Sequence, residues 1–467
     1  MPRLRPTPLG LVLLVLGCGS QPPPESEVPV PSEPAPSSAR PRVPADELGR
    51  QIVRALAAGE HATVITRFDD AMAEAMSAEQ LAELWQGVQS QVGPYQAIGV
   101  VRVKPVQGHD VAIVTTRFEK ADLDIRIVLD AEQRIAGLFV KPSSRDDDYE
   151  APSYAALERL SEEEVTVGSD PWVLPATLTL PKERPAEGAP GLVLVHGSGP
   201  NDRDESVGPN KPFRDLALGL ASRGIAVLRY DKRTHAHGEA LAASVGDALT
   251  LLEETIDDAR IAAEALGARP EVDPKKVFML GHSLGGMALP RIAADAPSLA
   301  GLIILAGSTR PLEDAVLDQM RYITELDGSL SPREKELVAK VEAEVARVKA
   351  LAKDPASAPP KEQLPLNIPA PYWRDLAAHP PGPLVAKETR PVLVLHGDRD
   401  YQVTAADFAG WEKALAGKPN ATLTRYPGLN HLFIHGQGPS APPEYLQPGH
   451  VDPKVIDDIA RFITGAP

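Results

Sequence analysis

The sequence holds one cysteine, Cys18, among 467 residues, so it has no disulfide available within the chain. It also has no Cys/His spacing of the structural zinc type. The fold must therefore stand on its core. Positive charge is in deficit: 48 Lys and Arg face 64 Asp and Glu, a formal net charge of −16. A surface of that sign repels phosphate backbones at long range, which argues against nucleic acid as a partner. The apolar run near the start, "LGLVLLVL" at 9–16, is too short to span a bilayer, which needs about 20 residues. At 467 residues the chain exceeds what one core usually organises, so two or more domains are expected.

The short apolar run follows Arg3 and Arg5 and ends in "VLGC", the layout of a secretory signal. This stretch resembles the bacterial lipobox, in which cleavage exposes a cysteine that is then acylated. Val15 and Gly17 stand at its small or aliphatic positions and Cys18 at the acylated one. The resemblance implies a signal peptide over 1–17, a lipid anchor at Cys18 and residence in the bacterial cell envelope. Gly19 in place of aspartate favours the outer membrane by similarity to enteric sorting. Residues 18–44, dense in proline, serine and charge, cannot bury enough apolar surface to order themselves and read as a disordered tether.

From 45 to 146 the pattern is α+β. "ADELGRQIVRALAAG" puts Leu48, Ile52, Val53 and Leu56 on one helical face, and a Ser77/Gln80 capping box opens a second helix carrying Leu81, Leu84, Trp85 and Val88. Four strand-like runs joined by short polar turns follow. Helices and then a meander resemble the cone-shaped α+β domains of the nuclear-transport-factor-like superfamily. No polar constellation there argues for catalysis, so packing, dimerisation or presentation of a substrate is the expected role.

Over 155–467 apolar strand-like runs alternate with helix-length segments, which signifies a mostly parallel, doubly wound α/β sheet covered on both faces. The last helix has Asp452 as N-cap and Pro453 at its first position. One excursion breaks the alternation, at about 311–386. Its "SPREKELVAKVEAEVARVKALAKD" opens with a Ser331/Glu334 capping box. Leaving from the carboxyl edge of the sheet, where α/β proteins bind ligands, it reads as a helical lid.

"VFMLGHSLGG" (277–286) places Ser283 between glycines, directly after a buried-type strand and before a helix, in which Pro290 should cause a kink. G-x-S-x-G is common by chance, but a serine squeezed between strand and helix needs glycine on either side and is held in strained geometry. A hydroxyl nucleophile also needs a base within hydrogen-bond reach and a carboxylate to orient that base. Downstream, "HGDRDYQV" supplies Asp398 and Asp400, and "YPGLNHLFIH" supplies His431 and His435.

With its elbow and the downstream acid and histidine in that chain order, this half of the chain resembles the α/β-hydrolases. "HGSGPNDRDE" (196–205) is similar to a loop of bacterial esterases and dienelactone-hydrolase-like enzymes that often carry a small cone-shaped domain first. The resemblance implies Ser283 as nucleophile, His431 rather than His435 as base and Asp400 rather than Asp398 as the orienting acid. It implies the amides of Leu284 and Ser198, with Gly199 as the alternative to Ser198, as an oxyanion hole. Asp202, Arg203 and Asp204 are expected to brace the loop through an internal ion pair, and His282 to pack beside the elbow. His235 and His237 read as solvated loop histidines rather than metal ligands. The expected function is a serine hydrolase of small acyl esters working through an acyl-enzyme, with no metal or organic cofactor. A peptidase of the same fold and a non-catalytic, partner-binding lipoprotein are the alternatives.

Overall fold

The computed structural model describes residues 42–106, 109–143, 149–326, 328–354 and 356–465. The expected signal peptide at 1–17, Cys18 and most of the expected tether lie outside the described residues. The described residues divide into two compact units, the smaller built mainly from 42–143 and the larger mainly from 149 onward.

In the smaller unit four strands form an antiparallel meander in sequence order: β1 (Tyr95–Val106), β2 (His109–Phe118), β3 (Asp122–Leu129) and β4 (Ile135–Pro142). The helix Ala45–Ala57 buries Leu48, Ile52, Val53 and Leu56 against this sheet, the face its spacing predicts. The helix Ala78–Val92 starts from the Ser77/Gln80 capping box, with both hydrogen bonds formed, and packs Trp85 on Phe118 at 5.6 Å between ring centroids.

The larger unit is an eight-stranded sheet. Its strands are β5 (Leu160–Val167), β6 (Leu174–Pro181), β7 (Ala189–Val195), β8 (Ala226–Tyr230), β9 (Val272–His282), β10 (Gly301–Leu305), β11 (Val392–Gly397) and β12 (Ala421–Tyr426). They lie in the order β12-β11-β10-β9-β7-β8-β6-β5. Pairing is parallel from β12 through to β8, and β6 and β5 join antiparallel. The parallel strands β8, β10 and β11 are buried along their whole length, as sheets covered on both faces require. Because the strands run the same way, the loops that follow β7, β8, β9, β11 and β12 all emerge at one edge.

The C-terminal helix Pro453–Thr464 starts from Asp452, whose side chain accepts from the Lys454 amide, and buries Val455, Ile456, Ile459 and Ile463. The excursion between β10 and β11 contains the helices Leu312–Thr324, Pro332–Leu351 and Ala370–Ala378. Val348, Leu351, Tyr372, Trp373, Leu376 and Val385 from it join the buried cluster that also holds β9 and β11 side chains, so much of the excursion is continuous with the core.

The root of the excursion is tied down by one fully buried carboxylate. Asp407 Oδ1 accepts from the Ser308 hydroxyl at 2.7 Å and from the Thr309 and Arg310 amides at 3.1 Å; Oδ2 accepts from the Arg310 guanidinium at 2.9 Å and the Thr404 amide at 3.0 Å. Burial alone would push its pKa up, but the hydrogen bonds from Arg310 and Ser308 outweigh burial and hold it below the ordinary aspartate value. A group lowered in this way contributes stability above the ordinary value and loses it as pH falls through the lowered one. Asp407→Ala leaves several buried donors unpaired and Arg310 with Asp318 as its remaining carboxylate. It should cost about 3 to 5 kcal/mol, read as a lower urea midpoint, with the gap to the unmodified chain closing in acid.

Candidate active site

Ser283 ends the turn between β9 and the helix Leu284–Ala294, at φ 54° and ψ −116°. That conformation is strained for a residue with a Cβ and is over-determined by what surrounds it. The Ser283 amide donates to the Leu305 carbonyl at 2.9 Å, and its carbonyl accepts from the Met287 amide at 3.0 Å. A Cβ at Gly281 would stand 2.3 Å from the Gly285 oxygen, and one at Gly285 would stand 2.4 Å from the Val195 oxygen. The glycines on either side are thus required by backbone closing on backbone, and the motif carries structural as well as chemical information. The helix continues past Pro290, which removes one backbone donor without ending it.

The other predicted residues lie on neighbouring loops of the same sheet edge. His431 Nδ1 donates to Asp400 Oδ2 at 2.7 Å, and both side chains are buried. Asp400 Oδ1 accepts from the Gln402 and Val403 amides at 2.8 and 3.0 Å, so the carboxylate is aimed by its own turn. Asn430 shapes the histidine loop by accepting from the Leu432 and Ile434 amides. Asp398 instead takes Arg425 Nε at 2.7 Å, and the His435 ring packs against Gly428.

The loop after β7 closes on the elbow: a Cβ at Gly197 would lie 3.0 Å from Ser283 Cβ and 3.5 Å from Ser283 Oγ. The amide of Leu284, first residue of its helix, lacks an intrahelical acceptor. The Ser198 amide has no hydrogen-bond partner among the described residues.

Two expectations change. Asp202, Arg203 and Asp204 brace the loop, but not by pairing with one another. Asp202 caps the Asp204 and Ser206 amides, Arg203 pairs with Asp231 at 3.0 Å and with Glu164 at 2.5 Å, and Asp204 pairs with Lys211 and Arg229. Lys211 apart, the ion-pair partners lie 25 to 39 residues away, which loop-local reading misses. His235 and His237 are not merely solvated: their rings bond the Pro200 and Val173 carbonyls at 3.2 and 2.7 Å. Among the described residues no group of three His, Cys, Asp or Glu side chains is placed to hold a metal ion.

The residue sequence reasoning missed is Glu205, at φ 50° and almost fully buried. Its Oε1 accepts from the Gly197 amide at 2.6 Å and its Oε2 lies 2.8 Å from His282 Nδ1. His282 Nε2 in turn donates to the His431 carbonyl at 3.0 Å. His282 therefore does more than pack. The Glu205 carboxylate stands at ion-pair distance from Nδ1 without forming a hydrogen bond to it, and the pair favours the imidazolium form through charge. Burial opposes that charge, but Glu205, the His431 carbonyl and Asp400 outweigh it and raise the His282 pKa. Burial likewise opposes the Glu205 carboxylate, yet His282, His196 and the Gly197 amide bring its pKa below the ordinary value. For His196, packed against Phe213 and Tyr230, burial outweighs the opposing pull of Glu205 and Asp231 and pushes its pKa down to about 4.

This geometry defines the class. Residues 192–445 match the model of the alpha/beta hydrolase family, and the chain belongs to that family. Residues 50–138 match DUF3887, a domain family of unknown function. Among curated proteins, Esterase EstD of Thermotoga maritima is 36% identical over 388 residues, covering 83% of this chain and 88% of the relative. Among solved structures, Est1E from Butyrivibrio proteoclasticus is 20% identical with a TM-score of 0.41, covering 65% of this chain and 98% of that one. An esterase of Pyrococcus furiosus is 14% identical with a TM-score of 0.43, covering 70% and 97%.

Glu205→Gln should lower stability by about 3 kcal/mol near neutral pH, since it strands a buried cation. The contribution from His282 is full below the ordinary histidine pKa and lost as pH rises through the raised value; that from Glu205 is lost as pH falls through its lowered value. Urea titrations across pH should therefore show the two proteins converging at both extremes. Gly285→Ala drives a methyl group into the Val195 carbonyl; it should abolish activity and yield mostly insoluble chain.

Proposed function

We propose that the protein is a carboxylic-ester hydrolase acting through Ser283, His431 and Asp400. The observation that carries the reading is a histidine held by a buried carboxylate at 2.7 Å, on the sheet edge where a strained serine stands at the strand-to-helix turn. His431, oriented through Nδ1 by Asp400, takes the Ser283 proton at Nε2. Ser283 Oγ then bonds to the ester carbonyl carbon, and the carbonyl oxygen becomes an anion facing the Leu284 and Ser198 amides. Collapse breaks the C–O bond to the alcohol, which leaves with the proton from His431. Water, activated by His431, attacks the acyl-enzyme through a second tetrahedral adduct and releases the acid.

The esterase name of the Thermotoga relative favours acyl esters over peptides. The helical insertion at about 311–386 serves as lid and pocket wall. The sequence pattern at 3–18 supports a lipid anchor at Cys18 and a place in the bacterial envelope, with the outer membrane favoured. Labelled palmitate should enter the chain and fail to enter Cys18→Ser.

Ser283→Ala and His431→Ala should each lower kcat on p-nitrophenyl acetate and butyrate by about 10³-fold or more without a comparable change in KM. A fluorophosphonate probe should mark Ser283. Full ester turnover by folded Ser283→Ala would sink the reading. Faster cleavage of amino-acid arylamides than of p-nitrophenyl esters would make the enzyme a peptidase.

A further inference from the structure

Lys232 follows β8 in the turn "RYDKR" and takes no part in the hydrolytic steps, yet the residue is only 1% exposed. Its Nζ donates to the Gly197 carbonyl at 2.8 Å and to Glu254 Oε1 at 2.5 Å. Glu254, in a π-helical turn (Leu252–Ile256), accepts through Oε2 from the Tyr372 hydroxyl at 2.5 Å. Tyr372 belongs to the helix Ala370–Ala378 of the excursion, and burial, with Glu254 beside it, keeps its phenol protonated by raising its pKa.

The Gly197 carbonyl and the Ser198 N–H are two ends of one planar trans peptide, so whatever fixes the direction of the carbonyl fixes the amide pointing the opposite way. Left alone, that plane has little to hold it. Ser198 is exposed and lies between Gly197 and Gly199, where glycine freedom makes a peptide flip cheap. Asn201 Nδ2 adds a longer contact to the same carbonyl at 3.2 Å. The preceding peptide is held from the other side, through its N–H, by Glu205. A cation on the carbonyl also polarises the peptide and strengthens its N–H as a donor.

We propose that Lys232 is a positioning residue for the oxyanion hole, fixing the Ser198 amide through the Gly197 carbonyl, with Glu254 and Tyr372 tying that constraint to the helical insertion. The inference rests on the ester-hydrolase reading with Ser198 as an oxyanion donor.

The test uses the full chain, p-nitrophenyl butyrate, and a butyl trifluoromethyl ketone whose adduct with Ser283 carries an oxyanion. Lys232→Met should lower kcat about 10- to 100-fold with KM within about threefold, below or near the range for deleting an oxyanion donor outright. Affinity for the ketone should fall by the same factor as kcat/KM, whereas affinity for butyramide, which has no tetrahedral oxyanion, should stay within about twofold. Tyr372→Phe, which removes a single hydroxyl, should shift kcat/KM and ketone affinity together by about 2- to 5-fold, and carries the test should Lys232→Met not fold. Folded variants that keep both quantities within twofold, or that lose activity without losing ketone affinity in step, would overturn the proposal. A wild-type chain that neither hydrolyses the ester nor binds the ketone would overturn the underlying hydrolase reading instead, and the positioning role with it.

Discussion

The larger unit is organised around one constraint: β9 must pass directly into a helix with a serine at the bend. The bend holds only because two glycines let the chain close on itself and on the end of β7 at distances no Cβ tolerates. From it follow the direction of the Leu284 amide, the strained exposure of the Ser283 side chain and the close approach of the Gly197 loop. The parallel sheet does the rest, since strands running the same way deliver the loops after β7, β11 and β12 to the same edge without further instruction.

Around that bend the chain buries charge in matched pairs rather than excluding it. Glu205 and His282 stand on one side of Gly197, Lys232 and Glu254 on the other, and each pair ends on a peptide group of the loop or a carbonyl of the histidine segment. Such pairs are weak contributors to net stability, because desolvation of two ions consumes most of their attraction. Their value here is geometric. A charged group within hydrogen-bond distance of a peptide holds it in one orientation at a strength a neutral partner does not match.

Local patterns made most of the fold legible from the residues alone. Capping boxes at Ser77 and Ser331, the N-cap at Asp452, apolar spacing in the helix at 45–57 and the fully apolar runs of the central strands all report interactions within a few residues. The neighbourhood of Ser283 was readable for the same reason, because its glycines sit inside one ten-residue stretch. Glu205, Lys232, Glu254 and Tyr372 were not. Their side-chain partners are 22 to 118 residues away, and neither periodicity nor turn chemistry records a pairing across that separation. A signal existed nonetheless: a lysine flanked by Asp231 and Arg233 directly after an apolar strand, and a glutamate closing a glycine-rich loop, are charged residues at strand ends where exposure to water is not assured. The error over Asp202, Arg203 and Asp204 has the same origin, since adjacency in sequence suggested a pairing that the sheet gives to Asp231, Lys211 and Arg229 instead.

These observations bear on how a surface loop can do precise chemistry. A loop rich in glycine is suited to letting substrate approach its backbone and badly suited to holding an amide in one direction. Rigidity has to be imported from outside the loop, and the available sources are the strand ends beneath it and the excursion of which Tyr372 is part. Ionic contacts from Lys232, just after β8, and from the turn at Glu205 reach both peptides flanking Gly197, which is the advance alignment that the proposed oxyanion role would need. Two opposed pairs also balance each other's charge, so that an oxyanion formed there as proposed would meet the fixed dipoles of the peptides rather than the field of a lone buried ion.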